Sequence, residues 1–203
     1  DVIRNQIRNS FQLTPPIGQD PDEPSPETES THRQDAYELR ATFDPNLKPS
    51  STIRYEPRGA LIEDPRILTL KGEEVNNLIR GKPYRYVYTV RFTDVANNVR
   101  FGMLIKTIAG VELGGAESTV SLANAIPLVE SGERFQVEFR FNAYLNTGVY
   151  FMNAGVLGQV GQEDGYLHRL IDIAMFRILP STDSYATAIV DFGCVPEIGW
   201  NES

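Results

Sequence analysis

The feature that most constrains the fold is a strict alternation of apolar and polar residues in the stretch "RFQVEFRFN", residues 134–142. Phe135, Val137, Phe139 and Phe141 occupy every second position, and charged or amide side chains stand between them. Successive side chains of a β-strand point to opposite faces of a sheet, whereas a helix would spread these residues around its whole surface. The alternation therefore predicts a strand with one face in a core and the other face outward.

Several other segments show the same period of two or form short apolar runs bounded by Gly, Pro, Asn and Asp. In "YRYVYTVRF" and "NNVRFGMLIKT" the alternation is clear, and no long helical pattern interrupts the series. Strands at this spacing predict an all-β protein, an immunoglobulin-like antiparallel β-sandwich. The strands that follow from this pattern lie within 84–92, 97–107, 134–142, 149–160 and 167–179, with a short last strand at 188–193.

Composition divides the chain into two parts. Residues 14–35, "TPPIGQDPDEPSPETESTHRQD", are rich in Pro, Asp, Glu, Ser and Thr and contain almost no hydrophobic residue. Such a segment buries too little apolar surface to offset the entropy lost on ordering. We predict a largely flexible N-terminal linker over residues 1–56, with room for a short helix within 1–13, and a β-sandwich domain over residues 57–203.

Charge and motifs disfavour several classes of function. The formal net charge of −8 disfavours non-specific binding to nucleic-acid phosphates, and the single cysteine, Cys194, excludes an internal disulfide framework. No apolar run is long enough to span a bilayer. Phosphate loops, dinucleotide fingerprints, nucleophile elbows and zinc-protease motifs are all missing from the sequence, which predicts no catalytic residue, no metal and no cofactor. Carboxylates are plentiful, so a sandwich-fold glycosidase stays a third and weaker hypothesis.

The outward positions of the predicted strands point to a binding surface. The order of strands in a sandwich places 99–107, 149–157 and 167–178 in one sheet. Arginine and amide groups donate hydrogen bonds to carboxylates, phosphates or sugar hydroxyls, and an exposed aromatic ring supports the C–H face of a sugar. The outer face of this sheet would display the candidate ligand-binding residues Arg100, Leu104, Lys106, Phe151, Asn153 and Arg177.

Each of these residues has a proposed role and an alternative. In the binding hypothesis Arg100 and Arg177 read an acidic terminal group, Asn153 bonds to a hydroxyl and Phe151 supports a ring. Alternatively, the arginines only pair with nearby acids, as most surface arginines do. A structural dimerisation or adhesion domain, with Phe151 buried against a partner subunit, is the second hypothesis of function. His168 is expected to be packed or solvent-facing rather than a ligand.

The order of several motifs resembles that of a known family. The motifs are the Phe101-Gly102 strand with its downstream Gly110, the Gly132-Glu133 turn, the Leu145-x-x-Gly148-x-Tyr150 corner, the Asp172-x-x-x-Phe176 strand and the closing Gly193 segment. Over residues 57–200 the chain resembles the C-terminal carbohydrate-binding domain of the Wzt-type ATPase subunit of ABC transporters that export O-antigen polysaccharide. At such a corner the tyrosine bonds to upstream backbone, so Tyr150 is expected to be a structural latch.

This resemblance implies a function, a location and partners. It implies a non-catalytic module that binds the modified non-reducing end of a lipid-linked glycan during lipopolysaccharide biosynthesis, on the cytoplasmic side of the bacterial inner membrane. It also implies a homodimer, in which the last strand, here Ala188–Gly193, crosses to the partner subunit. The ATPase domain of the family, which contacts the membrane-spanning subunit, would precede this chain, and we expect the chain to be a fragment without it. Ligand residues vary with the glycan, so the resemblance assigns none.

Overall fold

In a computed structural model of the protein, residues 39–180 and 185–200 are described, except for the side chain of Val160. All of the described residues belong to one compact unit. A single turn of 3-10 helix, Leu122–Asn124, accompanies the strands. The strands are β1 (Ile53–Arg54), β2 (Ala60–Leu68), β3 (Asn77–Leu78), β4 (Pro83–Phe92), β5 (Ala96–Thr107), β6 (Glu112–Glu117), β7 (Ile126–Val129), β8 (Arg134–Asn142), β9 (Gly148–Val160) and β10 (Glu163–Ile178).

The strands form two sheets that pack face to face. The larger sheet has the order β1-β10-β9-β5-β6, with β3 beside β10 and β7 beside β5, and the smaller sheet has the order β2-β4-β8. The pairings are antiparallel apart from that of β3 with β10. The predicted all-β, immunoglobulin-like antiparallel sandwich is confirmed. The three strands expected to share one sheet are the neighbours β5, β9 and β10.

The core lies between the two sheets and follows the alternation read from the sequence. Every second residue of β4 from Tyr84 to Phe92 is buried, and the phenylalanines of β8 pack against the same core. From the larger sheet Tyr150, Met152 and Val156 point into it. Because full burial of a large apolar side chain contributes about 1.5–3 kcal/mol, these facing rows hold the sheets together.

The predicted tyrosine corner is present at the start of β9. The Tyr150 hydroxyl donates a hydrogen bond to the carbonyl oxygen of Asn146 at 2.8 Å. A Cβ atom at Gly148 would lie 3.1 Å from that hydroxyl oxygen, so the position favours glycine. Burial raises the pKa of Tyr150, which keeps the hydroxyl protonated as a donor. The latch role expected for Tyr150 is thus confirmed.

An edge segment, residues 51–58, runs along the outer side of β10. Its strand β1 pairs with β10, and beyond β1 the Tyr55 N–H donates to the Arg169 carbonyl at 3.1 Å. Residues 51–56 fall in the stretch assigned to the linker from composition, yet their backbone groups are paired with the sheet. The short helix within 1–13 and the polar stretch 14–35 lie outside the described residues.

The C-terminal tail, residues 185–200, differs from the expected closing strand at 188–193. Within the tail only Val190 forms a β-bridge, with Leu145, and residues 191–200 have no regular secondary structure. Asp191 anchors the tail, since its carboxylate lies 3.3 Å from the Arg80 guanidinium. Beyond this anchor Phe192 and Trp200 are 85% and 90% exposed. Within the described residues the tail thus forms one bridge in place of the expected strand.

Candidate functional site

The outer face of the larger sheet contains a gap in its cover of side chains. One cross-strand row runs from Glu117 on β6 through Gly102 on β5 and Gly155 on β9 to Arg169 on β10. Neighbouring strands lie about 4.8 Å apart, so the row measures about 14 Å between its end Cα atoms. Gly102 carries no side chain, and the Tyr166 ring lies over Gly155, where an added Cβ atom would be 3.0 Å from the ring. The floor is therefore low at Gly102 and aromatic over Gly155.

The rows on either side turn this gap into a groove. On one side lie Arg100, Leu157 and Tyr166, and on the other lie Gly115, Leu104 and Asn153. The groove has a volume of about 420 Å³, which falls within the usual range of small-ligand sites. The side chains that border it are Leu104, Glu112, Glu117, Asn153, Tyr166 and Arg169.

The floor of the groove is held by close packing and by a buried tyrosine. A Cβ atom at Gly115 would lie 2.5 Å from the Met103 carbonyl oxygen, so a side chain there would force the backbone to move. From the core side, the Tyr88 hydroxyl lies 2.9 Å from the carbonyl oxygen of Gly102 and 3.1 Å from that of Gly155. Burial raises the pKa of Tyr88, so its hydroxyl stays a donor to the floor.

Tyr166 and Arg169 form one wall of the groove. They share the outer face although they are three residues apart, because a register shift between Tyr166 and His168 sends both Leu167 and His168 inward. The Arg169 guanidinium carbon lies 4.8 Å from the centroid of the Tyr166 ring, a cation–π contact. Within the described part of the chain no carboxylate forms an ion pair with Arg169, which leaves its N–H groups available.

A buried polar cluster supports the opposite wall. The Lys106 ammonium lies 2.7 Å from one carboxylate oxygen of Asp172, and the Ser51 hydroxyl donates to the other at 2.9 Å. The Asp172 N–H donates to Asn153 Oδ1 at 2.9 Å. Asp172 has a left-handed φ of 53° and lies in the irregular stretch of β10 between Leu170 and Ala174. The Asn153 oxygen is therefore used within the protein, and its Nδ2 group has no partner among the described residues.

The register brings five of the six predicted site residues onto adjacent rows of one face. Arg100, Leu104 and Lys106 on β5 lie beside Leu157, Asn153 and Phe151 on β9, respectively. Leu104 and Asn153 border the groove directly.

The expectation that Phe151 is exposed is wrong. Its residue exposure is only 7%, and the Lys106 ammonium lies 6.0 Å from its ring centroid. Asn153 is similarly buried. Both residues point outward from the sheet, but the Lys106 side chain lies over Phe151, which therefore offers neither a sugar platform nor an interface.

Arg177 lies away from the other predicted residues. It pairs with Val149, eight residues along β9 from the Leu157 that neighbours Arg100, a separation of about 26 Å. Arg100 is itself engaged by acids, at 3.3 Å from Asp164 and 3.9 Å from Glu117. Arg100 and Arg177 are therefore too far apart to read one terminal group, contrary to the expectation from parity.

Sequence reasoning missed the groove itself and its Tyr166–Arg169 wall. A glycine in an outward strand position was the available signal for the floor, since Gly102 has no side chain and Gly155 makes room for the Tyr166 ring. The wall carried no such signal, because the register shift that brings Tyr166 and Arg169 to one face breaks the alternation.

His168 is a packed residue, as expected. It is buried, and its Nδ1 accepts a hydrogen bond from the Ile62 N–H at 2.9 Å across to the other sheet. Desolvation lowers the pKa of His168, with a smaller opposing effect of a hydrogen bond to the Tyr55 backbone. The imidazole is neutral and structural.

Comparison with known proteins places this chain in a family. A family model described as the Wzt C-terminal domain matches residues 51–192. A solved structure, the crystal structure of the C-terminal domain of Wzt, is similar with a TM-score of 0.63 and 22% identity, over 78% of this chain and 92% of that chain. An X-ray structure of a structural genomics target reaches a TM-score of only 0.29 at 10% identity, over 73% of this chain and 99% of that one, and supports no argument.

Two further observations bear on the assignment. No curated protein matches the sequence at a significant level. Within residues 39–180 and 185–200 the structure has no helix that is long and apolar enough to cross a membrane. The family model covers well over half of the sequence, and the fold agrees with it. The chain therefore belongs to the Wzt C-terminal domain family, a family of domains associated with ABC transporters.

Proposed function

We propose that the groove binds the non-reducing end of a lipid-linked O-antigen polysaccharide for export by an ABC transporter. The observation that carries this proposal is the floor of the groove, where Gly102 has no side chain next to the Tyr166 ring that lies over Gly155. The low floor at Gly102 admits a flat ring, and the half-exposed tyrosine supplies an apolar surface for its C–H face. The module acts by binding alone, and catalysis is not part of the proposal.

Polar groups around the floor suit sugar hydroxyls. The Arg169 guanidinium and the Asn153 Nδ2 group supply donors, and the Glu112 and Glu117 carboxylates supply acceptors. A hydroxyl both donates and accepts hydrogen bonds, so it can pair with either the donors or the carboxylates. The pattern of a few directional polar groups around an apolar surface is typical of small-ligand sites.

The proposal includes a homodimer in which the C-terminal tail contacts a second copy. Val195 and Ile198 are 75% and 91% exposed, as are the two tail aromatics already described. The tail passes an apolar groove of about 340 Å³ that includes Phe139, Phe141 and Val190, beside the edge strand β8. An unpaired strand edge next to an apolar groove favours the addition of an extended segment from another chain.

The location follows from the same proposal. In the transporter this domain would lie on the cytoplasmic side of the inner membrane, peripheral to the bilayer, and would reach the membrane-spanning subunit through an ATPase domain.

The test is a calorimetric titration with the O-polysaccharide of the source organism and with one from an unrelated serotype. Binding only to the cognate polysaccharide supports the proposal. Arg169→Ala should weaken binding by about tenfold or more, because it removes charged donors from the groove. Arg177→Ala is the matched control, since it removes the same side chain from the same face outside the groove. Equal affinity of both variants would contradict the site assignment.

A structural dimerisation or adhesion domain is the second candidate, favoured by the exposed apolar tail. Its test is the removal of residues after Val190, followed by measurement of mass in solution and of glycan binding. A dimer that is lost on truncation, in a protein that binds neither polysaccharide, would favour this second candidate.

A further inference from the structure

We infer that the sugar residue bound in the groove carries no net charge. This inference rests on the proposed function and names the class of ligand for the same groove. It reverses the expectation from sequence that outward arginines read an acidic terminal group.

Arg100, which was expected to read an acid together with Arg177, already has acidic partners, and so does Lys106. Arg100 is held between Asp164 and Glu117, and its side chain is only 13% exposed. Lys106 is paired with Asp172 in the polar cluster. An anionic ligand at these cations would compete with carboxylates already in place, and displacing Asp172 would leave a buried carboxylate without its cation, which is strongly unfavourable.

The groove itself is not a positive site. Among the described residues that border it, the charged ones are Glu112, Glu117 and Arg169. Glu117 and Arg169 stand at opposite ends of the glycine row, so an anion beside Arg169 would also face a carboxylate across the floor. An ammonium group beside the acids would in turn face the guanidinium. With two carboxylates and one guanidinium on its border, the groove has no excess of positive charge that would select an anion.

Hydrogen-bonding capacity leads to the same class of ligand. A carboxylate or phosphate placed beside Glu112 could not donate a hydrogen bond to it and would be repelled by its charge, whereas a hydroxyl can donate. Glu112 has no ion-pair partner among the described residues, and its carboxylate is free to accept from a ligand hydroxyl. A neutral sugar can donate a hydrogen bond to Glu112, accept one from Arg169 and rest its C–H face on Tyr166. Its hydroxyls thus pair with both kinds of polar group on the border of the groove.

The test uses the O-polysaccharide of the source organism, titrated in low and in high sodium chloride with and without an excess of inorganic phosphate or glucuronate. We expect the affinity to change by less than about twofold between the two salt concentrations, because an uncharged sugar has no charge–charge attraction to the groove that salt could screen. We also expect no displacement by either anion. Salt-sensitive binding, or displacement by phosphate or glucuronate, would overturn the inference.

A variant separates this inference from the function on which it rests. Glu112→Ala should weaken binding by about tenfold, because an acceptor of a sugar hydroxyl is lost. Glu112 is exposed, so the thermal midpoint should not change. Tighter binding by this variant would mean that the ligand is anionic, and would overturn the inference while leaving glycan binding intact. Failure of the unaltered protein to bind at either salt concentration would instead contradict the proposed function.

Discussion

Replacing Lys106 by methionine tests the energetics of the buried polar cluster that supports the Asn153 wall of the groove. The Lys106 ammonium lies 2.7 Å from Asp172, and the two side chains are only 16% and 9% exposed. Among the described residues, Ser51 is the remaining side-chain partner of that carboxylate. Methionine keeps the length of the aliphatic stem but leaves the carboxylate without a counter-charge. Breaking a buried ion pair costs about 3–5 kcal/mol, and the remaining exposure places this pair near about 3 kcal/mol.

Urea unfolding at neutral pH measures this change. With a slope of about 2 kcal/mol per molar, a loss of 3 kcal/mol moves the midpoint down by about 1.5 M. The double variant Lys106→Met with Asp172→Asn removes the uncompensated charge. Asparagine tolerates the left-handed backbone at position 172, so this variant should recover to within about 1 kcal/mol of the original protein.

Two results would refute this reasoning. A loss below about 1 kcal/mol for Lys106→Met would mean that the pair behaves as an exposed surface ion pair. Failure of Asp172→Asn to restore stability would mean that the cost comes from lost packing over Phe151 rather than from the unpaired carboxylate.

Three further predictions concern the latch, the buried histidine and the floor of the groove. Tyr150→Phe should lower the free energy of unfolding by about 1 kcal/mol, because the Asn146 carbonyl loses its donor; unchanged stability in urea would contradict the latch role. The folded-state pKa of His168 is lowered, so the unfolded chain binds the proton first and stability should fall as pH drops below the ordinary value of 6.5. His168→Asn, whose amide oxygen can still accept from the Ile62 N–H, should flatten that decline in thermal midpoints recorded from pH 8 to pH 5, whereas an equally steep decline would assign it to other groups. Tyr88→Phe removes the donor beneath the glycine floor and should weaken glycan binding more than Tyr150→Phe does in the same titration; equal affinities would mean that the floor needs no support from the core.

Most of the sandwich could be predicted because its long strands obey a strict period of two. The alternations in β4, β5 and β8 gave the correct inward residues, and the tyrosine corner was read from a local motif. The two-residue strands β1 and β3 could not be predicted, since two residues show no period. Their pairing with β10 depends on tertiary neighbours rather than on local pattern.

The candidate site was predicted only in part, for two physical reasons. The alternation along the strands placed Leu104 and Asn153 on the outward face of the sheet. Alternation says nothing about cover by neighbouring side chains, and Phe151 is buried beneath Lys106. A register shift exchanges the inward and outward positions of a strand from the next residue onward. No pattern in the sequence therefore showed that Tyr166 and Arg169 share the outer face.

The position of β10 between β1 and β9 has a consequence for how the protein is made. Ile53 pairs with Ile171, so the edge segment waits for a partner that is translated more than a hundred residues later. Contacts between residues so distant in sequence slow folding. The edges of β1 and β9 that face β10 stay unpaired until β10 has been made. Tyr166 and Arg169 both lie on β10, so the groove does not exist on a nascent chain that stops before this strand. Translation products truncated before β10 consequently lack the groove, so any ligand that depends on it can meet only a completed sandwich.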